Sequence, residues 1–254
     1  MNRRGFLRGG LIGASALTLS GCKVLDDDGP ARAVMARAND LTYRVQRALG
    51  GGHTLAPEYT EGDIRQGQRP NGVTNPEDED YRILARAGFA PYRLAVTGLV
   101  ERPLSLSLPE LTAMPSRTQI TRHDCVEGWS CIAKWTGVPL GLVLDQARPK
   151  LSARYAVFHC FDTIERSLSG TVKYYESIDL IDAYHPQTIL AYGLNGGPLP
   201  VANGAPLRVR VERQLGYKMA KYIRGIELTD SLAGFGEGRG SYWADRGYDW
   251  YAGI

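Results

Sequence analysis

Residues 34–49, VMARANDLTYRVQRAL, carry Met35, Leu41, Val45 and Leu49 near one side of a 3.6-residue repeat. This spacing predicts an amphipathic helix lying on a larger body. The next stretch, Gly50 to Asp80, is rich in Gly, Pro, Asn and acids and has little periodicity, so it predicts a long ordered loop or wrap. From Tyr92 the pattern becomes short and alternating. YRLAVTGLV and LSLSL read as strands, PELTAM as a short helix with Pro109 in its first turn, and TQITRHDCV as a strand running into Cys125. A helix is expected from near Pro139 within WTGVPLGLVLDQA, and a strand over RYAVFHCF ending at Cys160. ESIDLIDAYH predicts a helix capped by Ser177, TILAYGL a strand, Asn195-Gly196-Gly197 a turn and PLRVRVE a strand. YKMAKYIRGIELTD begins as a turn or short helix and becomes a strand. No internal repeat is visible. Short strands and helices without regular alternation predict an α+β fold built on a mixed β core.

The N-terminus reads differently. Arg3 and Arg4 precede a weakly apolar run, Leu11 to Leu19, too short to span a bilayer, which is the pattern of an export signal. RRGFLR resembles a twin-arginine signal, implying export of a protein already folded around a cofactor. Leu19-Ser20-Gly21-Cys22 resembles a bacterial lipoprotein box; cleavage at an ordinary small-residue site fits the same segment. Either way the expected location is the periplasm or cell envelope. The expected organisation is a signal at 1–21, a linker, helix and wrapping loop at 22–80, and a catalytic domain at 81–254.

Charge narrows the function classes. The formal charge of +3 includes Arg3, Arg4 and Arg8, so a chain without residues 1–21 carries 0. No basic field remains to favour nucleic acid as a partner. The 254 residues contain only four histidines and no CxxC or HExxH, which disfavours a zinc site. Besides Cys22, Cys125, Cys131 and Cys160 leave at least one thiol unpaired in an oxidising compartment. Residue chemistry alone leaves Cys125 open between a buried small apolar residue and a nucleophile paired with His123 or His159.

RHDCVEGWSCIAKWTGVPL resembles the core of the oxidoreductase molybdopterin-binding domain family, whose fold is shared with sulfite oxidase, and within it the protein-methionine-sulfoxide reductase type. The resemblance makes Cys125 the molybdenum ligand, beside the dithiolene sulfurs of one pterin per metal. A soft, deprotonated sulfur suits a high-valent metal that exchanges oxygen. A second matching run, NGAPLR, implies cofactor contacts from Asn203 and Arg208, and Met219, Ala220 and Lys221 align with a further contacting tripeptide, with Lys218 beside it. A phosphate-tailed pterin requires backbone donors at a tight turn and fixed cations. Cys160 falls where reductase-type relatives have a threonine near the pterin. Asn71 in RPNG aligns loosely with an upstream contact, and His123 lies on the strand entering the site. Cys131 reads as packing. The aromatic tail GSYWADRGYDWYAGI either packs to close the core, walls the substrate mouth or forms a docking surface.

The resemblance thus implies a Mo-molybdopterin oxidoreductase that transfers an oxygen atom to or from a small molecule or a protein sulfoxide. The chain has no heme or iron-sulfur motif, which implies a separate electron partner, a membrane cytochrome or a soluble c-type cytochrome. The sequence after Cys125 departs from the sulfite oxidase pattern, so sulfite is disfavoured as substrate. The rival readings are a non-catalytic binding lipoprotein of the same fold and a metal-free thiol enzyme. For the anchor, Cys22→Ala is expected to move the protein from the membrane to the soluble fraction. A wild-type protein that is already soluble contradicts lipidation.

Overall fold

The computed structural model describes residues 30–50, 53–65, 67–167 and 170–254. They fall into two compact units, one ending at Leu49 and one running from Gly50 to Ile254. The export segment and Cys22 lie outside the described residues.

The expected N-terminal helix forms as α1, Pro30–Gly50. Two residues of its expected buried side, Leu41 and Val45, are nevertheless 62% and 44% exposed. Local contacts order its turns, among them an Asp40–Arg44 pair at 2.9 Å and a Thr42 hydroxyl donating to the Ala38 carbonyl at 2.9 Å.

The second unit holds two sheets. In the first, the strand order is β2 (Leu104–Ser107), β1 (Arg93–Gly98), β10 (Ile223–Thr229), β5 (Tyr155–Ser167) and β6 (Gly170–Asp179). The β1–β10 pair is parallel; its neighbours pair antiparallel. In the second sheet the order is β3 (Arg117–Cys125), β4 (Trp129–Pro139), β7 (Ile189–Leu194) and β8 (Gly197–Pro198), and β9 (Arg208–Arg210) also pairs with β7. Leu94, Phe158 and Ile226 of the first sheet share one core with Val138, Leu190 and Val209 of the second. Trp135, Ala133, Ile189 and Ala191 form a smaller core of their own.

Strand alternation lets β4 serve both cores. Trp135 and Val138, three residues apart, face opposite sides, so one enters the small core and the other the large one, while the register shift between Thr136 and Gly137 leaves Tyr192 as an extra residue on β7. Gly137 is required there, because a Cβ would lie 2.3 Å from the Leu190 carbonyl oxygen.

Three elements differ from expectation. Helix α2, Glu79–Arg86, starts in the last two residues of the segment read as a wrap and continues through a stretch given no element by pattern; the Asp78 side chain accepts from the Tyr81 N–H at 2.9 Å, and Tyr81 packs its ring on Phe89, Phe161 and Tyr222. The stretch Trp129–Thr136, left unassigned by pattern, is strand β4. ESID is the end of strand β6 rather than a helix start. Ser177 is buried and donates to the Gly240 carbonyl, so Asp179 does the capping and only Leu180–Ala183 is helical. The other expected helices follow as α3, Leu108–Ala113, and α4, Leu140–Ala147.

Among the described residues of the wrap, several are held by the sheet region. Ala56 exchanges two hydrogen bonds with the Gln187 amide at 2.8 and 3.0 Å, and the Tyr59 N–H bonds the Ile120 carbonyl at 2.8 Å. Gly137→Ala is expected to cost about 1–3 kcal/mol by forcing β4 and β7 apart. The check is a lowered Tm with the cleft described below left intact.

Candidate active site

Cys125 ends β3 and pairs with Trp129 across a tight turn, in which the Gly128 N–H bonds the Cys125 carbonyl at 3.0 Å. The thiol is half-buried and unbridged; Cys131 and Cys160 are free as well. Cys125 lines a cleft together with Asn71 from the wrap, Met219 and Lys221 from the turn before β10, Asp162 from β5 and Trp243 from the tail. Residues far apart in the chain and singled out by motif are therefore brought to one place.

Arg208 and Asn203 lie behind this cleft. The Arg208 guanidinium donates only to backbone, to the Asn203 carbonyl at 2.9 Å and the Met219 carbonyl at 3.4 Å, and lies 4.9 Å from the Trp135 ring centroid. The Lys221 ammonium donates to the Asn71 carbonyl at 2.6 Å, to the Val73 carbonyl, and to the Ala202 carbonyl at 3.2 Å. Neither cation has a carboxylate in ion-pair contact among the described residues, though both are buried. Burial is the first cause that lowers their pKa values, to about 9 for Arg208 and about 7 for Lys221; each is also repelled by a neighbouring arginine, and Asp162 partly restores Lys221. Gly204 makes the approach of these side chains feasible. Its φ is +113°, and a Cβ there would sit 3.0 Å from Lys221 Cβ and 3.2 Å from Arg208 Cβ.

His123 adds a donor. Arginine can only donate, so the 2.9 Å contact from Arg210 Nη1 makes His123 Nδ1 the acceptor and leaves the proton on Nε2. Burial, then the charges of Arg210, Arg208 and Lys221, hold this ring neutral. Its Nε2 is buried without a partner, as are Asn203 Nδ2 and Arg208 Nε. The ring abuts Gly216 on the cleft wall, where a Cβ would come within 2.4 Å of it. Arg210 itself is neutralised by a two-armed pair with Glu212 at 2.9 and 2.7 Å, and Gln119 donates to the same carboxylate at 2.8 Å.

Asn203, Arg208 and His123 do not themselves line the cleft; Arg208 and His123 contact residues that do, Asn203 bonds Arg208, and three further expected contacts are engaged elsewhere. Lys218 is fully buried against Glu176, donates to the Ser177 carbonyl at 2.9 Å and lies 5.2 Å from the Trp250 centroid, so its charge is already satisfied elsewhere. The Cys160 thiol sits in the main core, its pKa pushed well above the usual thiol range by burial and then by Asp162. Ala220 is a core residue whose carbonyl accepts from the Val209 N–H at 2.9 Å. Conversely, sequence reasoning missed Asp162, Arg210 and Glu212. The signal for the last two was the alternation in RVRVE, which places Arg208, Arg210 and Glu212 on one face of a strand.

The tail contributes both to the cleft and to packing. Trp243 lines the cleft, while Trp250 donates to the Ser177 hydroxyl at 2.8 Å and packs on Tyr155. The thiol-nucleophile reading loses support. Burial raises the Cys125 pKa, His123 is tied to Arg210 and held neutral, and His159 bonds Glu227 at 2.9 Å.

The family model for the oxidoreductase molybdopterin binding domain matches residues 84–234. The chain belongs to this family. It is a molybdopterin-dependent oxidoreductase. A protein of Azospira oryzae, provisionally named protein-methionine-sulfoxide reductase subunit YedZ1, is 37% identical over 99% of this chain and 87% of its own length. The protein-methionine-sulfoxide reductase catalytic subunit MsrP of Xanthomonas campestris pv. campestris is 34% identical over 85% of this chain and 67% of its own. The crystal structure of the sulfane dehydrogenase SoxCD from Paracoccus pantotrophus aligns with a TM-score of 0.49 at 22% identity, covering 56% of this chain and 39% of that one.

The side chains present fit the family's cofactor. Unpartnered buried donors on His123, Asn203 and Arg208, together with two cations lacking acids, suit an anionic ligand rich in acceptors. A stability prediction follows from Lys221. Its folded pKa lies below the unfolded value of 10.5, so its contribution is fully present above 10.5 and is lost as pH falls through about 7. Cofactor-free Lys221→Met is therefore expected to be more stable than wild type at pH 7, with the gap closing toward pH 10.5. Thermal melting across that range checks it.

Proposed function

We propose that this protein reduces sulfoxides, with methionine sulfoxide in proteins as the principal substrate, and receives electrons singly from a separate cytochrome-type partner. The observation that carries the reading is the Cys125 cleft above uncompensated buried cations, in a chain similar along most of its length to proteins named as methionine-sulfoxide reductase subunits. Export by the twin-arginine route, with anchoring through Cys22, completes the proposal and rests on the N-terminal motif.

In this reading Cys125 ligates molybdenum, Arg208 and Lys221 bind the phosphate, and His123 and Asn203 donate to the pterin. When bound, the molybdenum group supplies the oxygen-atom exchange and the two-electron change that the side chains cannot provide. The chain's own part is positioning and proton supply. Trp243 and Tyr217 give the thioether flanks an apolar wall and exclude water from the cleft. Asp162 lines the same cleft, and its Oδ1 has no partner. Burial raises its pKa to about 7, against the pull of Lys221, so near neutral pH it holds a proton that can pass to the departing oxygen. The balance is one sulfoxide, two electrons and two protons giving one thioether and one water.

Metal analysis after expression in a molybdopterin-producing host tests the assignment. Near-stoichiometric molybdenum and reduction of methionine sulfoxide by a reduced viologen dye are expected. Cys125→Ser should lose the metal, and Arg208→Ala and Lys221→Ala should lower cofactor retention. A folded wild-type protein without molybdenum refutes the reading.

A further inference from the structure

The first sheet carries a groove that the cleft chemistry does not use. It encloses about 850 Å³, room for an extended chain segment rather than a single ion. Its floor is shallow because Ala95 and Thr97 of β1 and Gly225 of β10 are small; Ala95 pairs with Gly225, and Thr97 pairs with Glu227, which is bonded to the groove residue His159 at 2.9 Å. Its charged lining residues are Arg93, Lys173 and Arg224, and no aspartate or glutamate lines it among the described residues.

These cations differ in how far they are engaged. Lys173 is paired with Asp78. Arg93 contacts Glu110 at 3.2 Å, but both side chains are more than half exposed, and such pairs are worth little in water. Arg224 is exposed and has no carboxylate in ion-pair contact among the described residues, although its field reaches Asp78; its guanidinium lies 5.6 Å from the Phe161 centroid. One rim is preformed. Tyr175 donates to the Phe235 carbonyl at 3.2 Å and to Asp245 at 2.6 Å, and Asp245 also accepts from the Glu237 N–H at 3.0 Å. A preformed rim lowers the ordering cost of binding.

The position of the groove points to its partner. Phe161, Lys173 and Tyr175 of the β5–β6 hairpin line the groove, Asp162 and Ile164 of the same hairpin line the Cys125 cleft, and Tyr174 lines both. Because residues of one hairpin line both, this hairpin is a wall common to both spaces. A protein seated in the groove is thus separated from the cleft by this hairpin.

We infer that the groove is the docking surface for an acidic segment of the electron-donating protein partner, steered by Arg224 and Arg93. The inference rests on the reading above that electrons arrive from a separate protein. Each encounter passes one electron, and two encounters with two protons convert one sulfoxide to thioether and water.

Two probes test it. The first is a fluorescein-labelled decaglutamate peptide, followed by anisotropy at low ionic strength against the purified full-length protein, loaded or not. Arg224→Glu should bind it about tenfold more weakly, the Arg93→Glu/Arg224→Glu double variant more weakly still, and Arg82→Glu on α2 like wild type, with all binding fading as salt rises. Equal binding by all variants overturns the proposal. So does displacement by inorganic phosphate at equal charge, which marks a small-anion site. Binding of phosphatidylglycerol vesicles in place of the peptide, lost in Arg224→Glu, also overturns it and assigns the face to a membrane. The second probe is reoxidation of the dithionite-reduced holoenzyme by anionic ferricyanide and by cationic hexaammineruthenium. Arg224→Glu should slow the former several-fold and not the latter, with molybdenum content and melting temperature unchanged; equal rates with ferricyanide contradict the docking role. A wild type that fails on sulfoxides defeats the proposed function, while the peptide measurement still decides the groove.

Discussion

Two buried cations at the cleft, neither ion-paired with a carboxylate among the described residues, are the constraint on which this site depends. Arg208 and Lys221 are buried and discharge their donors into backbone carbonyls, which satisfies hydrogen bonding and leaves the charge uncompensated. Contrast the neighbouring pairs. Arg210 has Glu212, and Lys218 has Glu176, each closed within the protein. A buried ion pair of that kind is complete and fixes geometry, whereas an unpaired buried cation makes the empty site costly and the filled site favourable. The same short stretch of chain, residues 208–221, contains both kinds, which divides it into a framework and a receptor.

The framework reaches the receptor through His123. Glu212 orients Arg210, Arg210 fixes the tautomer of His123, and His123 presents its remaining N–H behind Gly216. Gly216 and Gly204 lie where a methyl group would collide with His123 in one case and crowd Lys221 and Arg208 in the other. Their role is to allow close approach, a packing property that composition does not reveal.

How much was readable in advance follows from this division. The α+β class and most strands came from local patterns, because strand alternation is written in consecutive residues, whereas the grouping of Cys125, Asn71, Met219 and Lys221 came from the family resemblance of their motifs. Lys218 could not be separated from Lys221 that way. Three positions apart and chemically alike, they differ only in that Glu176, forty-two residues earlier in the chain, faces one of them. Asp162 was invisible for a related reason. A single acid in a strand becomes informative only when its burial and its orphan oxygen are known. The misread helix at 176–185 shows the same principle at the level of secondary structure, since Ser177 has the right identity for a cap and spends its hydroxyl on Gly240 instead.

The Lys221 ammonium also closes a long circuit, bonding the carbonyl of Asn71, 150 residues away in sequence. The outer lip of the cleft is thus supplied by the irregular segment that precedes the first strand. A fragment trimmed to begin at Arg93 would keep every strand of both sheets and lose that lip. The shortest piece of this chain that keeps every strand is therefore shorter than the shortest piece that keeps the whole cleft, and domain boundaries drawn by sheet topology alone would cut between the two.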